Sequence, residues 1–231
     1  SYVNYAAIMY NTQSSVGSAT NDGSSYERYE IKTTSSSKTL SASPPAYAPS
    51  STSASSPVSA ASDTSSSEIV LIRSEQEFID KIAQDGTGTE GKTYILDAAI
   101  NLSSLSGYVA RENFAGTLDG NGHTIKNLTS DQGLFESTTE TASIRDLTLE
   151  NFTITASGSR TGALVGDNNG DIDDVHIINS TIDGGSYQYI GGLAGYSYNA
   201  AISNSSSSAT VSGGNHVGGL VGSSYATITN S

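Results

Sequence analysis

The chain has 231 residues and a formal net charge of −13, which argues against nucleic acid and anionic membrane as partners, since both need basic faces. It contains no cysteine, so it has neither a disulfide framework nor a thiolate metal site. No apolar run approaches the roughly 18 residues of a membrane-spanning helix, and an apolar fraction of 35% is low for a spherical enzyme core but enough for the thin core of a solenoid.

Residues 1–40 are rich in Tyr, Ser and Thr. Their most apolar part is Tyr2-Val3-Asn4-Tyr5-Ala6-Ala7-Ile8-Met9-Tyr10, and Tyr26–Lys32, which includes Tyr29 and Ile31, alternates like a strand. Both runs are too short to build a core alone, so this extended arm needs a surface to lie against. Residues 41–67 are mostly Ser, Ala, Thr and Pro, including Pro44-Pro45 and Pro57, which is the composition of a linker.

Residues 68–130 read as the start of a solenoid that runs to 231. Glu68–Ile72 is an apolar strand. Ser74 and Glu77 form a capping box for a short helix with Phe78, Ile79 and Ile82 on one face, and Asp85-Gly86 ends it. Such a helix covers the first coil and protects its open sheet edge. Thr93–Leu102 supplies the next strands, followed by the segment Phe114–Ile125.

From residue 125 the sequence repeats itself. Thr161-Gly162-Ala163-Leu164-Val165-Gly166 returns as Ile190-Gly191-Gly192-Leu193-Ala194-Gly195 and as Val217-Gly218-Gly219-Leu220-Val221-Gly222, with a degenerate earlier copy around Gly133-Leu134-Phe135. The leucines at 134, 164, 193 and 220 step by 30, 29 and 27 residues, and a period in this range marks a solenoid. In phase with them runs an isoleucine followed two residues later by Asp or Asn, at Ile144, Ile172, Ile202 and Ile228, with Ile125-Lys126-Asn127 as the first copy. Apolar residues around these positions alternate with period 2, and Gly and β-branched residues dominate, so the units are strands rather than helices. The arrangement that satisfies these patterns is a parallel β-solenoid in which leucine stacks on leucine and isoleucine on isoleucine, coil upon coil. The Asn/Asp column then occupies left-handed corners and bonds along its own length. The glycines beside each leucine either open a bend or let neighbouring coils approach.

The segment Phe114-x-Gly116-Thr117-Leu118-Asp119-Gly120-Asn121-Gly122-His123-Thr124-Ile125-x-Asn127-Leu128, with the Gly-Leu-Phe and Gly-Gly-Leu-Val-Gly units that follow, resembles the GLUG-repeat group. The resemblance covers about residues 68–231. It implies an all-β, right-handed parallel β-helix of the kind found in secreted and cell-surface bacterial proteins, adhesins and the non-catalytic N-terminal parts of IgA1-protease-type metalloproteases among them. It brings no catalytic residues to carry over.

Parallel β-helices also include pectin-degrading enzymes, so a carboxylate pair in this chain is a candidate for polysaccharide chemistry. The densest cluster is Asp167-Asn168-Asn169-Gly170-Asp171-Ile172-Asp173-Asp174. Glycosidase chemistry needs two carboxyls roughly 5 to 9.5 Å apart across a cleft. Asp171, Asp173 and Asp174 could supply them, but Asp174 belongs to the corner column and no Arg or Lys lies near it in sequence to bind a uronate. Asp167, Asn169, Asp171 and Asp173 alternate as oxygen ligands of a Ca²⁺ loop would, yet Ile172 and Ile178 stand where an EF-hand needs Gly and Glu. An acidic solvated turn is the preferred reading there, with a looser, weak Ca²⁺ site at Asp167, Asn169, Asp171 and Asp173 as the alternative. His123, His176 and His216 show no partner pattern. Sequons at Asn101, Asn127, Asn151, Asn179 and Asn204 arise from the Asn/Ser/Thr-rich composition. Tyr187, Tyr189, Tyr196, Tyr198 and Tyr225 offer a carbohydrate- or protein-contacting face, or simple loop cover.

The expected function is that of a non-enzymatic, extracellular structural or adhesive protein without a cofactor. Its partners are expected to be copies of itself, with surface glycans or cell-surface proteins as further candidates. The sequence stops in mid-repeat, so the last coil, with Leu220 and Ile228, is expected to accept the arm residues Tyr2, Val3, Tyr5, Ile8, Tyr10, Tyr29 and Ile31 of another copy. Head-to-tail repetition of that contact makes a filament. The alternatives are a carbohydrate-binding solenoid, a fragment of a larger adhesin and, least favoured, a polysaccharide-active enzyme.

Overall fold

The computed structural model describes residues 67–84 and 88–231. The arm, the linker up to residue 66 and the helix stop at Asp85-Gly86 lie outside the described residues. From Glu68 onward the chain winds as a parallel β-solenoid of about six turns, with one short helical segment.

Three faces run along the axis. The long face stacks Glu68–Ile72, Lys92–Leu96, Thr117–Asp119, Ser143–Glu150, Asp171–Ile178, Ala201–Ser203 and Thr227–Thr229 in that order. A second face stacks Thr129–Ser130, Thr153–Thr155, Thr181–Asp183 and Thr210–Ser212. A third stacks Phe135–Ser137, Val165–Asn168, Ala194–Ser197 and Val221–Ser224. Every strand pairing among the described residues is parallel, as stacking like against like requires.

The core is the pair of columns that the repeat predicts. Ile144, Ile172, Ile202 and Ile228 are in register on the long face. On the third face Val165 pairs with both Phe135 and Ala194, which aligns Leu134, Leu164 and Leu193 one residue earlier. All of these except Ile228 are buried, each contributing about 1.5–3 kcal/mol. In the last coil described Leu220 is only partly buried and Ile228 is 40% exposed. The first copy of the isoleucine column is corrected: Leu118, not Ile125, pairs with Ile144. Ile125 pairs with Leu149, one corner further along the coil.

That difference exposes two corner columns per coil. Asp146, Asp174, Asn204 and Asn230 all have φ between 51° and 54°. Each inserts an outward residue after its isoleucine, so Ile144 and Leu147 both point inward although three apart. The second column is Asn127, Asn151 and Asn179, with φ of 65°, 57° and 51°. Its amides bond along the axis: Asn127 Nδ2 donates to Asn101 Oδ1 at 2.9 Å and Asn151 Nδ2 to Asn127 Oδ1 at 3.3 Å. The sequons at 101, 127 and 151 are therefore corners of the fold. A third polar column is buried inside the third face, where Thr138 Oγ1 donates to Asn168 Oδ1 at 2.8 Å and Asn168 Nδ2 to Ser197 Oγ at 3.0 Å.

The N-terminal helix forms as Glu75–Phe78 and widens into a π turn over Ile79–Ala83. Ser74 Oγ accepts from Glu77 N, but Glu77 reaches back to Arg73 N rather than to Ser74 N, so the capping box is shifted by one residue. Phe78 and Ile82 are buried in the core and Ile79 is half-buried. Glu75 accepts from Ser104, which ties the helix to the following coil.

Candidate functional site

The acidic stretch 167–174 turns a corner between two faces. Asp167 lies on the third face and Asp171 and Asp173 on the long face. Asp167 pairs with Arg160. Asn169 Nδ2 donates to Thr138 O at 3.2 Å, and Asp171 Oδ1 accepts from Ala201 N at 3.0 Å. Asp173 Oδ1 accepts from Ser203 Oγ and Asn204 Nδ2, both at 2.7 Å. Asp174 Oδ1 meets His176 Nε2 at 2.9 Å, while His176 Nδ1 meets Ser206 Oγ at 2.9 Å. Most of these bonds join one coil to the next. Among the described residues no group of three or more His, Cys, Asp or Glu is arranged to hold a metal ion. Of the residues expected to join subunits, Leu220 and Ile228 lie in the last coil, and the seven in the arm lie outside the described residues.

One surface brings together four of the five flagged tyrosines, Tyr189, Tyr196, Tyr198 and Tyr225, while Tyr187 lies on the turn where its N–H donates to Gly184 O and does not join their ring contacts. Tyr196 lies on the third face, paired with Asp167 on one side and Ser223 on the other. Tyr225 follows that face in the next coil and donates its backbone N–H to Ser197 O at 2.8 Å. Tyr189 stands on the neighbouring corner, edge-on to Tyr196 with ring centroids 5.8 Å apart. Tyr196 and Tyr225 are 6.0 Å apart, and Tyr225 and Tyr198 6.1 Å. Burial, then the Tyr225 neighbour, pushes the Tyr196 hydroxyl pKa up.

Sequence reasoning missed two members of this surface. His216 stacks on Tyr189 at 4.7 Å, and the Arg160 guanidinium lies 4.9 Å over the Tyr196 ring while it pairs with Asp167. The signal was the phase of the repeat. Arg160, Tyr189 and His216 each immediately precede the residue that opens a glycine–leucine unit, and backbone bonds from Thr161 N to Tyr189 O and from Ile190 N to His216 O stack them in one column. Beyond Arg160 and Asp167 the surface continues into a groove of about 380 Å³ that Glu112, Asn113, Glu136 and Ser159 also line.

Comparison with known proteins places this solenoid. The sequence pattern of the N-terminal region of M26 IgA1-specific metallo-endopeptidases matches residues 64–179, half of the chain. The chain belongs to this family. Beyond that span the GLUG motif matches residues 186–212. The chain is also similar to halomucin of Haloquadratum walsbyi, with 39% identity over 155 residues, covering 59% of this chain and 2% of halomucin. Among solved structures it is similar to an immunoglobulin A1 protease candidate from Bacteroides ovatus, with a TM-score of 0.49 and 16% identity over 68% of this chain and 63% of that one. The chain thus spans a small part of halomucin and under two thirds of the solved chain. Among the described residues no helix is long and apolar enough to cross a membrane.

Proposed function

We propose that this M26-type N-terminal region is a non-catalytic, extracellular β-solenoid module of a surface or secreted protein, a stiff stretch that spaces or displays other segments. The observation that carries this reading is the use made of the acid-rich corner. Asp167, Asp171, Asp173 and Asp174 are each engaged by a neighbouring side chain or backbone N–H. Asp171 and Asp173 so engaged join successive coils and Asp167 and Asp174 are held within their own coil, whereas a catalytic pair faces a cleft across which substrate lies. The relation to a protease N-terminal region and to halomucin supports the same reading.

The test is a cleavage assay of the purified 231-residue chain against polysaccharides and peptides, in parallel with Asp171→Ala, Asp173→Ala and Asp174→Ala. The expected result is no turnover by wild type, together with lowered melting temperatures for the variants. Turnover by wild type that one of these substitutions abolishes would overturn the reading.

The finer form is a filament of copies joined head to tail through residues 1–40, supported by the strand-like patterns of Tyr2–Tyr10 and Tyr26–Lys32. Sedimentation of the chain with and without residues 1–12 tests it. Assemblies that need the arm are expected, and a monomer with the arm intact would sink it.

A further inference from the structure

Thirteen non-glycine residues among the described ones have positive φ, and ten of them are Asn or Asp, the types that tolerate that backbone. The other three are Arg160, Tyr189 and His216, at φ 65°, 61° and 56°. They are the three residues of the one column described above. Elsewhere the fold puts Asn, Asp or Gly where a corner turns left-handed. In this column His216 is also of a type enriched in that backbone, but Arg160 and Tyr189 are not, so at those two positions the fold tolerates strain and the side chains answer to something other than folding.

What they build is an outward aromatic surface. His216, Tyr189, Tyr196, Tyr225 and Tyr198 adjoin in that order, and Tyr198 and Tyr225 are 46% and 72% exposed. We propose that this surface is a binding site for neutral oligosaccharide chains, formed by those five rings and bounded by the Arg160–Asp167 pair.

The chemistry favours sugar over other occupants. A pyranose ring has a face of C–H bonds, weakly positive, that matches the negative face of an aromatic ring. Its rim of hydroxyls needs donors and acceptors at the edge of the platform, and the tyrosine hydroxyls, Arg160 and Asp167 supply both. The three Tyr-to-Tyr contacts repeat at 5.8–6.1 Å, on the scale of successive sugars in a chain. The groove beyond Asp167, with Asn113 and the carboxylates of Glu112 and Glu136, extends the surface for further hydroxyls. Nucleic acid also stacks on aromatics, but it needs a cationic track. Here Arg160 is paired with Asp167 and the chain carries −13. The same charge balance disfavours uronic and sialic acids.

The test is an array of neutral β-linked hexose and N-acetylhexosamine oligomers, with sialylated and uronic counterparts, followed by titration of any hit. The absence of Trp leaves tyrosine fluorescence as a direct reporter. The expected result is binding of at least one neutral oligomer that is insensitive to salt and falls at least tenfold in Tyr198→Ala/Tyr225→Ala, with Tyr225→Phe, which keeps the ring but not the hydroxyl, losing clearly less. Both positions are exposed, so an unchanged thermal melt of the double variant verifies that the fold is kept. Three outcomes would overturn the proposal: no neutral oligomer bound at millimolar concentration, binding unchanged in the double variant, or these tyrosines responding to a synthetic peptide of residues 41–67 and to no sugar. None of them bears on the non-catalytic reading, which the cleavage assay decides separately.

Discussion

Asp146 and Asp174 occupy the same left-handed corner of successive coils, carboxyl against carboxyl. Arg145 pairs with Asp173 and Leu147 with Val175, which fixes the alignment. Elsewhere in the corner columns Asn204 meets Asn230 and Asn127 meets Asn151, so neutral amides bond along the axis without repulsion. Partial desolvation at the corner, then the nearby charges of Asp119 and Asp174, pushes the Asp146 pKa above its ordinary 3.8, although Arg145 opposes the shift. A carboxyl whose folded pKa is raised contributes stability that is complete below 3.8 and is lost as pH rises through the folded value. Asp146→Asn is therefore expected to raise stability at pH 7. The side chain is exposed, so screening limits the gain to about 0.5–1 kcal/mol. Thermal melts at pH 7 and pH 3 check it: the gain should vanish at pH 3, and a gain equal at both would refute the electrostatic cause.

The leucine column makes a graded prediction. Leu193 is fully buried between Leu164 and Leu220, whereas Leu220 is only partly buried. Leu193→Ala is expected to cost about 2–5 kcal/mol, and Leu220→Ala clearly less, since the cost follows the cavity left behind. Urea denaturation of the two variants measures the difference. Equal costs would mean that the last coil packs as tightly as the inner ones.

Most of this fold is legible in the sequence because a solenoid repeats its solution. Leu134, Leu164, Leu193 and Leu220 recur in phase, and an isoleucine two residues before Asp or Asn marks a corner. Ile125-Lys126-Asn127 fits that pattern and still belongs to the other corner column. Three coils turn left-handed twice within about six residues, at Asn121 and Asn127, Asp146 and Asn151, and Asp174 and Asn179, and one motif describes both turns. The buried Thr138–Asn168–Ser197 column was hidden because polar residues carry no hydrophobic signal. Grouping the tyrosines was within reach of the sequence, but Arg160 and His216 were not assigned to them. Arg does not advertise a left-handed corner as Asn or Gly does, and His does so only weakly, so the repeat phase is what aligns them with Tyr189.

The second corner column can be tested at Asn151. Its φ of 57° suits Asn and Gly but costs other residues about 1–2 kcal/mol. Its amide also bonds Asn127, a net contribution of about 0.5–1.5 kcal/mol. Asn151→Ala loses both and is expected to cost about 2 kcal/mol. Asn151→Gly keeps the backbone conformation and should cost less. Chemical denaturation ranks the two, and an Ala variant as stable as the Gly variant would show that the left-handed backbone is not what Asn151 supplies.

The last glycine of each repeat unit explains how the strained column can exist at all. Gly166, Gly195 and Gly222 recur just after the unit's central apolar pair. A Cβ on Gly195 would lie 2.5 Å from the Arg160 carbonyl carbon and 2.7 Å from Tyr189 O, and would also strike Thr161 N. All of these are backbone atoms, so no side chain can swing away. A Cβ on Gly222 would meet Ile190 N and the Tyr189 carbonyl carbon, each at 2.6 Å. The glycine therefore leaves room for the backbone of the Arg160–Tyr189 corner, and it serves close approach rather than a turn. Gly219 stands in the same motif with open space around its would-be Cβ. Gly195→Ala is expected to cost about 1–3 kcal/mol or more through overpacking. Gly219→Ala should be neutral or stabilise by about 0.4–1 kcal/mol, because alanine restricts the unfolded chain. Thermal melts of the two variants separate these outcomes. If Gly195→Ala melts with wild type, the coils are not in the close contact that carries the column. If it melts early with its far-UV sheet signal intact and Gly219→Ala does not, close approach at Arg160 and Tyr189 is the reason that this glycine recurs.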